Sequence, residues 1–467
     1  MKFSLFGKTK KKPTLSSPGK WLRAGAAERS GSDRCNALRC GQIGRSNGGV
    51  HPTGPDIDPD RTAEARHRLW INRTVLSLSV ARMADGIGNS ILFVIIPLYV
   101  VKLPDHLVPL PRVLLIGILI SVFGLANACL QPFMAALSDR IGHHKRIIQA
   151  GLLVIALTTL AFIFADCYLD LLTLRIAQGL GLAMEIPPTL ALLAAVTRQT
   201  ERGSAMGFFT AMRMAGLTIG PLLGGFLHDA LGFDAAFYAG AIILLLALIV
   251  VQLGVENTSA PDQADLQCAP LFDAAVIHPG ILSAALATFL MASAFTMMTT
   301  LENQFNARLG IGAFGFGIAF SALMVSRLLF QVPLGRLSDR LGRKPLILGG
   351  LLLIAPATAL LGQASSLAEL GLLRFIQGVA AAAIVAPALA YAGDIAQGGN
   401  ACRRSRQMSL VTIGFGLGIA FGPLMAGFLA IYSFQLPFVI DGALCLIGSA
   451  VVSRYMTETV RREMHQT

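Results

Sequence analysis

Twelve stretches of this chain stay apolar for about 20 residues each, the length an α-helix needs to cross a hydrocarbon core about 30 Å thick. Six lie at 74–101, 113–137, 147–165, 171–196, 204–227 and 235–255. Six more lie at 281–301, 314–337, 346–362, 370–392, 408–429 and 436–452. Each is longer than a buried strand, which predicts an all-α integral membrane protein. Composition agrees: 54% of residues are hydrophobic, 14% are charged and mean hydropathy is +0.64. So much apolar surface exceeds what a water-soluble globule of ordinary shape can bury.

The polar breaks between the spans carry the charge, and they set an orientation. One side holds a basic tail, then Arg140, Lys145 and Arg146, Arg198 and Arg202, Arg340, Arg343 and Lys344, Arg403, Arg404 and Arg406, and finally Arg454, Arg461 and Arg462. The other has little beyond Lys102, Arg112 and Arg308. Both termini are therefore expected in the cytoplasm, although the break at 256–279 has no Lys or Arg. The net charge of +12 thus reflects topology and points to no nucleic-acid partner. Residues 1–70 are rich in Lys, Arg, Gly and Ser and read as a disordered cytoplasmic tail; an organellar transit peptide has a similar composition. Of the seven cysteines only Cys35 and Cys40 are close, too little for a metal site, and no metal or cofactor is expected.

The chain repeats itself. Leu137-Ser-Asp139-Arg140-Ile-Gly142 returns as Leu337-Ser-Asp339-Arg340-Leu-Gly342; Arg175-Ile-Ala-Gln178-Gly179 returns as Arg374-Phe-Ile-Gln377-Gly378; Gly216-xxx-Gly220-Pro221 returns as Gly418-xxx-Gly422-Pro423. The offsets, about 200 residues each time, mark a duplication. Two pseudo-symmetric six-helix halves are expected, at 71–255 and 280–467, joined by a cytoplasmic linker at 256–279 and enclosing a central pathway.

In these motifs the chain resembles the major facilitator superfamily, from about residue 74 to about residue 454. Gly335-Arg-Leu-Ser-Asp339-Arg340-Leu-Gly342-Arg343-Lys344 matches the family's loop signature throughout; the first copy departs from it at Ala135, His143 and His144. Physically, a carboxylate and a guanidinium in a tight turn can bond helix ends and each other, a latch that lets go as the halves rock. A solvated turn that only marks topology is the plainer reading. Asp139, Arg140, Gly142, Gly335, Asp339, Arg340, Gly342 and Arg343 are the expected cytoplasmic gate. Helix five carries Gly207, Gly216, Gly220-Pro221 and Gly224-Gly225, which looks like the glycine-proline signature of the family's antiporters. Small residues at four-residue spacing also serve ordinary close helix packing. Arg175 and Gln178 match a family signature connected with proton coupling, and a structural pair is the alternative.

Charges inside spans are costly and point to function. Ser79, Arg82, Asp85 and Asn89, spaced three, three and four apart, share one face of helix one. Asp85 lies about twelve residues in, near the midplane. It is either a proton carrier or half of an ion pair that steadies the helix. Glu185 is a further carrier; Glu302 and Asp394, at helix ends, are expected to face solvent. Arg213 and Arg327 either bind an anion or, as the safer expectation, pair with a carboxylate across the cavity. The resemblance implies a proton-driven antiporter exporting drug-like or metabolite compounds, monomeric, in a bacterial inner membrane, powered by the proton gradient. A proton symporter for metabolite uptake and a transporter-like sensor are the alternatives. A membrane-bound enzyme is disfavoured, since the chain has no P-loop, H-E-x-x-H or nucleophile elbow.

Overall fold

The computed structural model describes residues 72–103, 109–197, 201–256, 278–395 and 401–459; the expected tail and 257–277 of the expected linker lie outside them. Among the described residues twelve helices are long and apolar enough to cross a membrane. The first half comprises α1 (Arg73–Lys102), α2 (Arg112–Ile141), α3 (His144–Ala161), α4 (Tyr168–Val196), α5 (Arg202–Leu231) and α6 (Phe233–Gly254). The second comprises α7 (Pro279–Thr300), a short α8 (Glu302–Leu309), α9 (Ala313–Leu341), α10 (Arg343–Leu361), α11 (Leu367–Ile395), α12 (Ala401–Leu429) and α13 (Leu436–Tyr455). Every apolar run became a spanning helix, and among the described residues the pattern did not foresee α8.

Local chemistry sets the ends. The Asn72 side chain accepts the Thr74 N–H at 3.4 Å, and the His278 ring accepts the Gly280 N–H at 3.1 Å with Pro279 at the first helical position. At the turns after α2 and α9, Gly142 and Gly342 have φ of 69° and 109°, which side chains other than glycine rarely adopt.

The packing repeats with the sequence. α1 packs on α5 and α6 as α7 packs on α12 and α13; α2 and α3 pack on α4 as α9 and α10 pack on α11. The halves meet where α5 lies on α9 and α12 lies on α2. Call the side carrying Gly142 and Gly342 the basic face. Toward the opposite, far face one apolar core runs through both halves and includes Ile95, Phe162, Met298, Phe305, Phe316 and Phe438. Toward the basic face each half has a core of its own, around Leu152 and Leu193 in one and Leu351 and Ala388 in the other.

Polar contacts follow the same division. Near the far face Asp229 of α5 accepts the Ala313 and Phe314 N–H groups at the start of α9, at 3.3 and 2.9 Å. Asn303 of α8 donates to the Pro97 carbonyl of α1 at 2.7 Å. A Cβ added at Gly225 would press on the Ala313 backbone. At Gly207, on the basic-face part of α5, it would meet nothing within 4 Å. The seam is closed toward the far face and open toward the basic face.

Candidate functional site

The face predicted on helix one is buried and bonded. Arg82 donates to Asp85 at 2.8 Å, within α1, and to Glu185 of α4 at 3.3 Å; Asn89 donates to the other Asp85 oxygen at 2.7 Å. The side chains of Arg82, Asp85 and Glu185 are at most 3% exposed. Ser79 is buried beside them, its hydroxyl unbonded. Asp85 is thus half of an ion pair within α1, and the pair shares its cation with a second carboxylate. One guanidinium between two carboxylates is a balance that a single proton, or a competing charge, shifts.

The cluster breaks the repeat. Gly216 approaches Met83 and Gly220 approaches Ile87, as Gly418 approaches Phe289 and Gly422 approaches Ser293. In that register Arg82, Asp85 and Asn89 correspond to Thr288, Met291 and Phe295, and in the register that pairs Arg175 with Arg374, Glu185 corresponds to Ile384. Arg175 and Gln178 behave in the opposite way. Arg175 donates to Gln178 at 3.2 Å, and Gln178 to Thr159 of α3 at 3.0 Å. In the second half Arg374 donates to Gln377 at 2.9 Å and Gln377 to Thr358 at 2.8 Å. Each arginine also lies over two phenyl rings: Phe123 and Phe162 in one half, Phe295 and Phe320 in the other. A device present in both halves is explained by holding each bundle together; a cluster present in one half is not.

Arg213 and Arg327 depart from expectation. Among the described residues neither has a carboxylate within 4 Å or a hydrogen-bond partner, and the Nε of each is buried and unbonded. Arg213 is half-buried, Arg327 is 6% exposed, and Arg327 lies over the Phe415 ring at 5.7 Å. The charges of Arg82, Asp85, Glu185 and Arg327 all reach Arg213. Among the described residues no carboxylate crosses the cavity to pair with either, and the two nearby acids bond Arg82. Farther along the seam a pocket is lined by Phe93, Phe123, Phe295 and Phe320, with Thr296 and Thr299.

Of the residues expected to form the gate, Asp339 and Arg343 of the second half are bonded to their own half. Arg343 bonds Asp339, Ser338 at 2.6 Å, and Asp394 of α11 at 3.1 Å; the Arg343 and Lys344 N–H groups reach Glu458 at 2.9 and 3.1 Å. Asp394 is therefore no simple solvent-facing end. Arg140 and Arg340 are exposed, and a Cβ at Gly335 would meet only Ala386, at 4.0 Å. The Asp139 side chain lies outside the described residues. In the first copy His143 holds the position of Arg343, and His144, at the position of Lys344, lies 2.7 Å from Ser138. The bonds of Asp339 and Arg343 stay inside their own half, as an open basic face requires. In the glycine-proline signature, Gly216, Gly220 and Gly224 press on α1, Gly225 presses on α9, and Pro221 lies against Gly317.

Glu302 corrects another expectation. It is 0% exposed, not solvent-facing, and neither carboxylate oxygen has a partner. It begins α8, beyond the α7 span, where the chain turns under the closed far-face seam. Burial, then the charge of Asp229, hold its carboxyl well above the usual range. Opening the seam to water lets it ionise near its ordinary value, so the closed seam binds the extra proton. The contribution of Glu302 to closure is fully present below the ordinary carboxylate pKa and lost as pH rises through the raised one. Alkaline pH is expected to widen the distance between spin labels at Lys102 and Ala307, in a cysteine-free background, and Glu302→Gln to remove that dependence. Equal pH profiles in the two proteins would refute it. Asp441 of α13 is a second buried acid that the sequence reading passed over: it is 0% exposed and accepts from Ser293 at 2.9 Å. Its signal was a lone Asp inside an apolar run.

Comparison with known proteins fits this geometry. The family model described as Major Facilitator Superfamily matches residues 78–315 and 281–467. The chain is 28% identical over 377 residues to the multidrug resistance protein MdtG of Proteus mirabilis, covering 77% of this chain and 89% of that protein. It is 27% identical over 347 residues to multidrug resistance protein 2 of Bacillus subtilis, covering 71% and 84%. A crystal structure of a bacterial homologue of the human lysosomal transporter Spinster, inward-facing and occupied, superposes with a TM-score of 0.68 at 16% identity, over 85% of this chain and 98% of that one.

Proposed function

The chain belongs to the Major Facilitator Superfamily, and from that premise we propose that it is a proton-coupled antiporter that exports small organic compounds by alternating access. It is a multi-pass membrane transporter. The observation that carries the finer reading is the Arg82–Asp85–Glu185 cluster, buried, shared between α1 and α4, and lacking a counterpart in the second half. Two carboxylates on one guanidinium need not both stay ionised. A proton taken from one side can be held while the cavity faces that side and released once the halves have rocked to the other. The complete glycine-proline signature on α5 and the two relatives named for multidrug resistance support efflux by exchange. No cofactor is needed beyond the proton gradient.

We place the basic face in the cytoplasm, from the distribution of Lys and Arg, and the chain in a bacterial inner membrane as a monomer surrounded by lipid. The described state then opens inward, ready to take substrate from the cytoplasm. Everted vesicles energised to an acidic lumen test the exchange. Organic cations, neutral compounds and anions are added in turn while luminal pH is followed. At least one compound is expected to discharge the gradient with the parent protein and none with Asp85→Asn. Uptake of a metabolite driven together with protons, and no discharge by any compound, would replace antiport with symport.

A further inference from the structure

The membrane interior penalises unbalanced charge, so the charges of the cavity can be read as a cast of what fills it. Around the seam three guanidiniums, those of Arg82, Arg213 and Arg327, meet two carboxylates, those of Asp85 and Glu185. Positive charge is in excess even with both acids ionised, and Arg175 and Arg374, on the rings of the same seam, add to it. The acids are spent on Arg82, which leaves Arg213 and Arg327 without hydrogen bond or ion pair among the described residues. The two arginines belong to opposite halves, on the helices α5 and α9 that pack on each other, and their like charges repel.

The other buried arginines show that this is not how the chain houses an unneeded guanidinium. Arg175 and Arg374 each stack on two rings and bond a glutamine. Arg327 has one ring at 5.7 Å and no bond, although it is more than nine-tenths buried. The residues next in sequence are apolar: Met214 follows Arg213 and Leu328 follows Arg327, and both join a cluster with Phe93, Phe295 and Phe320.

We propose that Arg213 and Arg327 together hold the acidic group of an amphipathic organic anion, whose apolar body lies on the Phe93, Phe295 and Phe320 cluster. The assignment rests on reading the cavity as a transport site and names the class of compound it takes. An anion lowers the excess of positive charge, whereas an organic cation adds to it. The anion also replaces repulsion between the halves with two attractions, so that binding favours drawing α5 and α9 together along their open part.

Three probes of matched shape decide it: naphthalene-2-acetate, its methyl ester, and a naphthylmethyl trimethylammonium salt, each radiolabelled and offered to everted vesicles. The parent is expected to accumulate the acid in preference to the other two. Arg213→Gln and Arg327→Gln are each expected to raise its half-saturating concentration about ten- to a hundredfold, the size of a lost charged hydrogen bond. Arg327→Lys is expected to restore part of the affinity, and thermal unfolding of Arg327→Gln to stay close to the parent, because no hydrogen bond or ion pair is lost. The inference is overturned if the ammonium salt is preferred, if none of the three accumulates, or if both glutamine variants bind the acid as the parent does. Accumulation of the acid without any movement of protons leaves this site standing and removes the antiport reading instead.

Discussion

Arg82→Ala is expected to lower stability by about 3 to 5 kcal/mol, the usual result of removing one partner from a buried ion pair, and to abolish proton-driven exchange. Arg82 is the one cation that both Asp85 and Glu185 bond. Without it, two carboxyls at most 3% exposed face each other and can stay buried only by holding protons. A transporter fixed in its protonated form has nothing to release. Stability and coupling come apart in the triple variant Arg82→Met, Asp85→Leu, Glu185→Leu. Replacing a whole buried ion cluster by packed apolar groups is commonly neutral or stabilising, so this protein is expected to unfold near the parent temperature and still fail to exchange. Thermal unfolding of the purified proteins and the everted-vesicle assay read the two quantities. A triple variant that exchanged protons at the parental rate would remove the cluster from the mechanism.

That contrast also explains what the sequence could and could not convey. The twelve spans were legible because the length of an apolar run and the thickness of a bilayer are set by the same geometry, and the two halves because three motifs repeat at one spacing. Arg82, Asp85 and Asn89 were legible as a face, since residues three and four apart on a helix must be neighbours. That Glu185 completes the face was not, because its approach to Arg82 bridges α4 to α1 and no spacing encodes it. Arg175 and Gln178 show the reverse: the motif was plain, but its bond to Thr159 and the same bonds at Arg374, Gln377 and Thr358 were not. Position along a helix misjudged Glu302 for a related reason. The end of a span is where water is expected, yet α8 folds that end back under the far-face core. Arg213 and Arg327 were expected to find a carboxylate, and a count of charges per helix could not reveal that both nearby acids were already engaged.

Two glycines of one signature are expected to behave in opposite ways when enlarged. Gly216→Leu should lower stability by more than about 3 kcal/mol, beyond ordinary overpacking, because the added atoms would overlap the Met83 carbonyl and crowd Gly86. Neither neighbour can yield: both are backbone of α1, whose own hydrogen bonds fix them. The register of α1 on α5 also positions Arg82 and Asp85 above Arg213, so any displacement that relieved the clash would disturb the charge cluster as well. Gly207→Leu meets nothing within 4 Å and is expected to fold and unfold as the parent does. Packing in this state therefore gives no reason for a glycine there. The reason lies in the other state: when the basic face closes, the open part of α5 must come against the second half, and a leucine at 207 stands in the way. Transport by Gly207→Leu is accordingly expected to fall at least about tenfold, a barrier increase of about 1.4 kcal/mol, with substrate binding from the basic side retained. Normal transport by a stable Gly207→Leu protein would mean that closure does not bring α5 to the seam at this level, and the glycine would then belong to packing alone.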